Sequence, residues 1–175
     1  MIEPQVELVI GLGANLGADA AIVARFDDVA RALAARGAVR ASRVYRSAAL
    51  TPGDPPFLNA ALAVRLAAPW APLEALAALQ ALEARHGRDR DREGRWGPRP
   101  LDLDVLLWGA QVLALPRLTV PHPRLHERAF ALVPALELVG DVAVPGRADS
   151  LGALAAVAGP VLEPTGYVIA GGVAG

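Results

Sequence analysis

Residues 57–66, Phe-Leu-Asn-Ala-Ala-Leu-Ala-Val-Arg-Leu, alternate without a break. Leu58, Ala60, Leu62, Val64 and Leu66 point one way and Phe57, Asn59 and Arg65 the other, a period that only an extended strand sustains. A strand of this length needs neighbours to satisfy its backbone, and three segments offer them. Val6–Ile10 is a short apolar run ended by Gly11, Val39–Ser47 has period-two features with Val39, Ala41, Arg43 and Tyr45 on one side, and Leu101–Trp108 returns to strand character.

Between these runs the period changes. From Asp19 onward Ile22, Phe26, Val29 and Leu33 recur at helical spacing until Gly37 supplies a stop. Pro72 suits a first helical position, and Leu73, Leu76, Leu79 and Leu82 line a second helix running to His86 and closed by Gly87. Ala48–Pro56 is an exposed loop rich in Pro and Gly, and Arg88–Pro100 is a charged loop without apolar period. Gly109–Gln111 predicts a hairpin into Val112–Leu115, and Pro121-His122-Pro123 a rigid connection. A third helix is expected from about Glu127 toward Leu138, kinked or ended by Pro134, then one more strand and a small Ala-rich helix after Asp141. The order strand, helix, strand, strand, helix, strand predicts an α+β, ferredoxin-like fold. One domain over residues 1–165 and a flexible tail over 166–175 are expected.

Composition narrows the chemistry. The 175 residues include no Cys, which removes thiol nucleophiles and cysteine zinc sites and makes the cytoplasm the expected compartment. All 17 basic residues are Arg, so Schiff bases and the phosphate lysine of P-loop enzymes are excluded, and any bound phosphate is held by guanidinium. A formal net charge of -1 argues against nucleic acid as a partner. Glu3 and Glu7 stand where a secretory leader needs positive charge, and Leu151–Leu162 is too short to span a membrane, so neither role is expected.

The strongest chemical signal is Leu101-Asp102-Leu103-Asp104-Val105. On a strand, Asp102 and Asp104 face the same side while Leu101, Leu103 and Val105 fill the core. Paired carboxylates of this kind suit magnesium, which takes one or two carboxylates and completes its shell with substrate phosphates; taken alone the pair also fits a solvated strand end. Arg88, Arg95 and Arg99 precede it, and their guanidinium groups can bridge phosphate oxygens. Arg90 and Arg92 instead read as members of a solvated loop with Asp89, Asp91 and Glu93. Trp96 either covers a ligand or anchors its loop. His122 can donate to phosphate, whereas His86 suits a helix end by charge. Gly11, Gly13 and Gly17 miss the dinucleotide-binding glycine spacing by one residue, and more plausibly let a ligand or another loop approach the backbone.

Four blocks carry a family resemblance: Gly13-Ala14-Asn15-Leu16-Gly17, Phe57-Leu58-Asn59-Ala60, Arg95-Trp96-Gly97-Pro98-Arg99-Pro100-Leu101-Asp102-Leu103-Asp104, and Leu118-Thr119-Val120-Pro121-His122-Pro123-Arg124-Leu125. In order and spacing, from about Val9 to Pro145, the chain resembles the 6-hydroxymethyl-7,8-dihydropterin pyrophosphokinases of folate biosynthesis. The resemblance implies a central antiparallel sheet flanked by helices and the transfer of pyrophosphate from ATP, as co-substrate, to the pterin hydroxymethyl group with release of AMP. It implies two Mg2+ ions on Asp102 and Asp104, with Arg88 and Arg99 joining them as catalytic residues. ATP would be bound by Arg88, Arg99, His122 and Arg128, and the pterin by Ser47, Leu50, Phe57, Asn59, Trp96 and Phe130. Ser47–Pro56 and Gly87–Pro98 correspond to lids over both substrates, and Glu83 matches a family position. Departures are modest: Ala14 where many members have Ser, Phe57 where they have Tyr, and Ser47-Ala48-Ala49 in place of a Thr-Pro turn. A monomer acting on small molecules is expected. The competing expectations are a non-catalytic anion- or nucleic-acid-binding module and a degenerate relative that binds pterin without transfer.

Overall fold

The computed structural model describes residues 6–49, 52–89, 99–160 and 162–174. Its centre is the predicted long strand. β1 (Glu7–Ala14) and β4 (Phe57–Leu66) pair antiparallel, and β5 (Asp102–Trp108) adds antiparallel to the other edge of β1. β2 (Gly37–Ala41) and β3 (Tyr45–Ser47) pair successively along the free edge of β4. The expected continuous strand 39–47 is therefore broken. Ala41 pairs with Leu62 and Tyr45 with Asn59, so one extra residue is accommodated between them as a bulge. Ser42 stabilises the break: its N–H donates to Ala61 O at 3.0 Å, and its Oγ accepts from Ala61 N–H at 2.9 Å. Arg43 is exposed and Tyr45 buried, but their side chains stay together: the Arg43 guanidinium lies 5.5 Å from the centre of the Tyr45 ring, and both meet Glu137.

Helices cover both sides of the sheet. α1 (Asp19–Leu33) and α2 (Pro72–Arg85) pack on the face formed by Leu8, Ile10, Leu58, Leu62 and Val64, with Phe26 fully buried between them and the sheet. On the opposite face α3 (Ala129–Val139) and α4 (Leu151–Val157) pack against Val9, Ala61, Ala63 and Leu107. The small side chains of Ala61 and Ala63 let α3 approach the middle of the sheet. In α2 the buried stripe is Ala75, Leu79, Leu82 and Glu83, and Leu73 is 47% exposed, so the stripe is rotated from the leucine repeat. Pro134 lies inside α3 and does not end it.

Other expectations shift in detail. β1 does not end at Gly11 but runs through Gly13 to Ala14. Gly11 fits there closely: a Cβ would lie 3.2 Å from Leu106 Cδ1, so a larger residue would push the Leu106 side chain aside. Gly37 does follow α1, and a Cβ on it would sit 2.0 Å from Arg65 O. The predicted hairpin partner of β5 instead forms β6 (Leu113–Leu115) with β7 (Leu118–Val120), a separate ribbon. After Asp141 the expected strand is an isolated bridge between Ala143 and Ser150.

The chain from Glu163 onward adds to the sheet and the core. β8 (Glu163–Pro164) pairs with β3, Ile169 is 4% exposed, and β9 (Val173–Ala174) runs parallel beside β2. Among the described residues no helix is long and apolar enough to cross a membrane.

Candidate active site

On the face that α3 and α4 cover, the start of α3, Ala129 to Ala131, borders an opening over the sheet. In register, Asp102 faces Gly13, which faces Asn59; Asp104 faces Gly11, which faces Ala61. Two glycines thus lie between the acidic strand and β4, so the floor of the opening is backbone. Phe57 follows Asn59 on the same face. Above this floor lies a cavity of about 200 Å³, lined by Gly13, Ser47, Asp54, Phe57, Asn59, Arg99, Asp102, Asp104, Arg128 and Phe130, among others.

A bulge in β5 completes one wall. Val9 pairs with Leu107 and Ile10 with Val105, so Leu106 has no β1 partner; its side chain covers Gly11. The Leu106 carbonyl instead accepts from His122 N–H at 2.9 Å, which places the imidazole Nε2 3.8 Å from Asp104 Oδ2. Arg124 N–H donates to His122 Nδ1 at 3.1 Å, so a neutral His122 carries its proton on Nε2, toward Asp104.

The two carboxylates have different environments. Asp102 accepts from Arg88 on Oδ1 and from Arg99 on Oδ2. Arg88 also donates to Glu83, whose Oε1 accepts the Leu103 N–H at 2.8 Å. Burial opposes ionisation of Asp102, but the flanking guanidinium groups outweigh it and hold the carboxyl below its usual range. Asp104 accepts from Arg128 Nη1 at 3.1 Å. Its pKa is raised by burial and then by the charge of Asp102, against the pull of His122 and Arg128. Burial also lowers the pKa of His122, despite Asp104.

The structure brings most predicted site residues together. Ser47, Phe57, Asn59, Arg99, Asp102, Asp104, Arg128 and Phe130 line the cavity, with Ser47 Oγ accepting from Asn59 Nδ2 at 2.9 Å. Arg128 lies 5.6 Å from the centre of the Phe130 ring. Arg88 stands behind Asp102 with its side chain 7% exposed, and His122 stands beside Asp104. Leu50 and Trp96 lie outside the described residues, as do Arg90, Arg92 and Arg95. Asn15, Asp54 and Glu127 were not singled out as site residues. Asp54 and Glu127 line the cavity, whereas buried Asn15 bonds the loops around it; its sequence signals are an amide at a strand end between glycines and its place in the first resembling block.

Fold and site together define a ferredoxin-like α+β domain with two carboxylates and their arginines beside a slot with two aromatic rings. Residues 9–140 match the family model described as 7,8-dihydro-6-hydroxymethylpterin-pyrophosphokinase, and the chain belongs to that family. It is similar to 2-amino-4-hydroxy-6-hydroxymethyldihydropteridine pyrophosphokinases. For the Pseudomonas aeruginosa protein the identity is 45% over 139 residues, covering 78% of this chain and 82% of the relative. For the Pseudomonas putida protein it is 44% over 117 residues, covering 67% and 94%. Among solved structures, Plasmodium falciparum HPPK-DHPS with pteroate superposes with a TM-score of 0.66 at 11% identity. That match covers 86% of this chain but 42% of the larger one, and it shows the ferredoxin-like fold alone. Membership makes this chain an ATP-dependent diphosphotransferase of folate synthesis.

Proposed function

We propose that Asp102, Asp104 and their arginines form the centre at which pyrophosphate passes from ATP to the hydroxymethyl oxygen of 6-hydroxymethyl-7,8-dihydropterin, leaving AMP. The observation that carries this assignment is the placement of both carboxylates on one open sheet face, between arginines and a slot lined by Phe57 and Phe130.

The donor set suits magnesium. Asp102 and Asp104 supply hard oxygens, and no cluster of three or more His, Cys, Asp or Glu occurs among the described residues, so substrate phosphates and water would complete the shell. Asp102 and Asp104 would hold two Mg2+ ions, and the bound metal would supply neutralisation of phosphate charge. Arg88 and Arg99 neutralise Asp102 in the structure described; with ATP bound they turn part of their donor capacity toward phosphate. Arg128 and His122 serve the nucleotide side from Asp104. Asn59, held by Ser47, reads the polar edge of the pterin, and Phe57 and Phe130 clamp its ring. Arrangement and electrostatics do most of the work. The protein acts as a cytoplasmic monomer on these small molecules, without a nucleic-acid or membrane partner.

The test is incubation of the purified protein with ATP, Mg2+ and 6-hydroxymethyl-7,8-dihydropterin, followed by nucleotide separation. AMP equimolar with pterin pyrophosphate is expected. ADP, or no pterin-dependent product from folded protein, would overturn the assignment.

A further inference from the structure

Asn15 is 2% exposed and takes no part in the chemistry above, yet its amide bonds to two loops on different sides of the cavity. Oδ1 accepts the Arg99 N–H at 2.7 Å, and the Asn15 N–H donates to Arg99 O at 3.0 Å. Nδ2 donates to Pro55 O at 3.1 Å, in the loop that leads into Phe57. The partners determine the orientation of the amide, since an N–H must meet its oxygen and a carbonyl its nitrogen. Arg99 thus has both backbone polar groups held by one residue, while its guanidinium lies on Asp102. The following carbonyl, Pro100 O, accepts from Arg25 Nη1 at 2.6 Å.

We infer that Asn15 is a positioning residue that couples the acceptor-side loop to the phosphate-side arginine, so that ordering either side favours the other. This inference rests on the pyrophosphokinase assignment above. A buried amide has no net charge and is satisfied by both loops in place, so each bond it makes lowers the ordering cost of the remaining one. A residue that only supported the fold would not separate the two substrates.

The substitutions divide the two arms. Asn15→Asp retains an oxygen for Arg99 N–H but turns an oxygen toward Pro55 O. Arg25→Ala, at a half-buried position, removes the bond to Pro100 O beside Arg99 and leaves the Asn15–Pro55 bond in place. With wild-type, Asn15→Asp and Arg25→Ala proteins, KM is measured for each substrate, together with pterin Kd with and without a non-hydrolysable ATP analogue. For Asn15→Asp, the pterin KM should rise about tenfold and the ATP KM less than about twofold, as expected for loss of one hydrogen bond. The analogue should also cease to tighten pterin binding. Arg25→Ala should raise the ATP KM severalfold and spare the pterin KM at saturating ATP. Equal shifts of both KM values in Asn15→Asp, or retained tightening by the analogue, would overturn the coupling. If Asn15→Asp does not fold, an unchanged ATP KM in Arg25→Ala overturns it, and the expected split supports it. Wild-type protein without pterin-dependent AMP would overturn the assignment and this inference together, whereas an active wild type with unsplit variants overturns the inference alone.

Discussion

Glu83 and Asp102, on α2 and β5, are bridged by one guanidinium nitrogen, Arg88 Nη1. Glu83 is 1% exposed and also receives the Leu103 N–H, so the buried acid connects the register of β5 to the orientation of Arg88. Removing it leaves Arg88 with an incompletely compensated charge and Leu103 without that acceptor. Glu83→Ala should destabilise the protein by about 3–5 kcal/mol in urea unfolding, the range for breaking a buried ion pair. Glu83→Gln, which retains an acceptor, should lose less.

Asp104→Asn separates chemistry from stability. Ionisation of Asp104 is disfavoured by burial and by Asp102, so an uncharged isostere removes a repulsion while weakening the bond to Arg128. Thermal unfolding should stay within a few degrees of wild type, while turnover falls roughly 10²-fold or more through loss of a charged group serving the transition state. Near-normal turnover in both Asp102→Asn and Asp104→Asn would remove these residues from the reaction.

Phe130 tests the aromatic slot. Phe130→Leu keeps apolar bulk at the start of α3 but loses the ring face, worth about 0.5–1.5 kcal/mol, so the pterin KM should rise about two- to tenfold. The ATP KM should hold. Equal loss for both substrates would place the ring elsewhere than against the acceptor.

Tyr45 gives a pH signature away from the site. Its hydroxyl donates to Glu137 Oε2 at 2.6 Å, and burial, followed by this bond, pushes its pKa up to about 12. A folded-state value above the unfolded one means the contribution to stability is complete below about pH 10 and is lost as pH rises toward 12. Absorbance titration at 295 nm should resolve a late phenolate that Tyr45→Phe abolishes. A Tyr45→Phe trace superimposable on wild type would refute it.

The C-terminal segment contributes core. Ile169 is 4% exposed within the cluster formed with α1, and Ala170 N–H donates to Asp27 Oδ1 at 2.6 Å. Ile169→Ala should cost about 2–5 kcal/mol of stability, whereas a true tail would tolerate it within about 0.5 kcal/mol.

Local pattern was enough for much of this protein. The alternation from Phe57 to Leu66, the helix from Asp19, the Pro72 start and the shared face of Asp102 and Asp104 all depend on residues within a few positions of one another. The four resembling blocks likewise point to the family and contain Gly13, Phe57, Asn59, Arg99, Asp102 and Asp104, which line the cavity.

What local pattern could not reveal depends on distant partners. Gly11 reads as a strand end until Leu106 is seen above it, and Ser42 as ordinary strand until its hydroxyl meets Ala61. Asn15 reaches Pro55 and Arg99 across 40 and 84 positions, and Val173–Ala174 pairs with a strand more than a hundred residues earlier. Short polar and glycine-rich segments have no apolar period, so their place is set by which backbone groups they satisfy. The sequence by itself determined the main helices, the long central strand, the acidic strand and the chemical inventory. Only the tertiary structure decided which strands bulge, which loops share an amide and how the end is held, because hydrogen bonds between distant segments leave no local repeat.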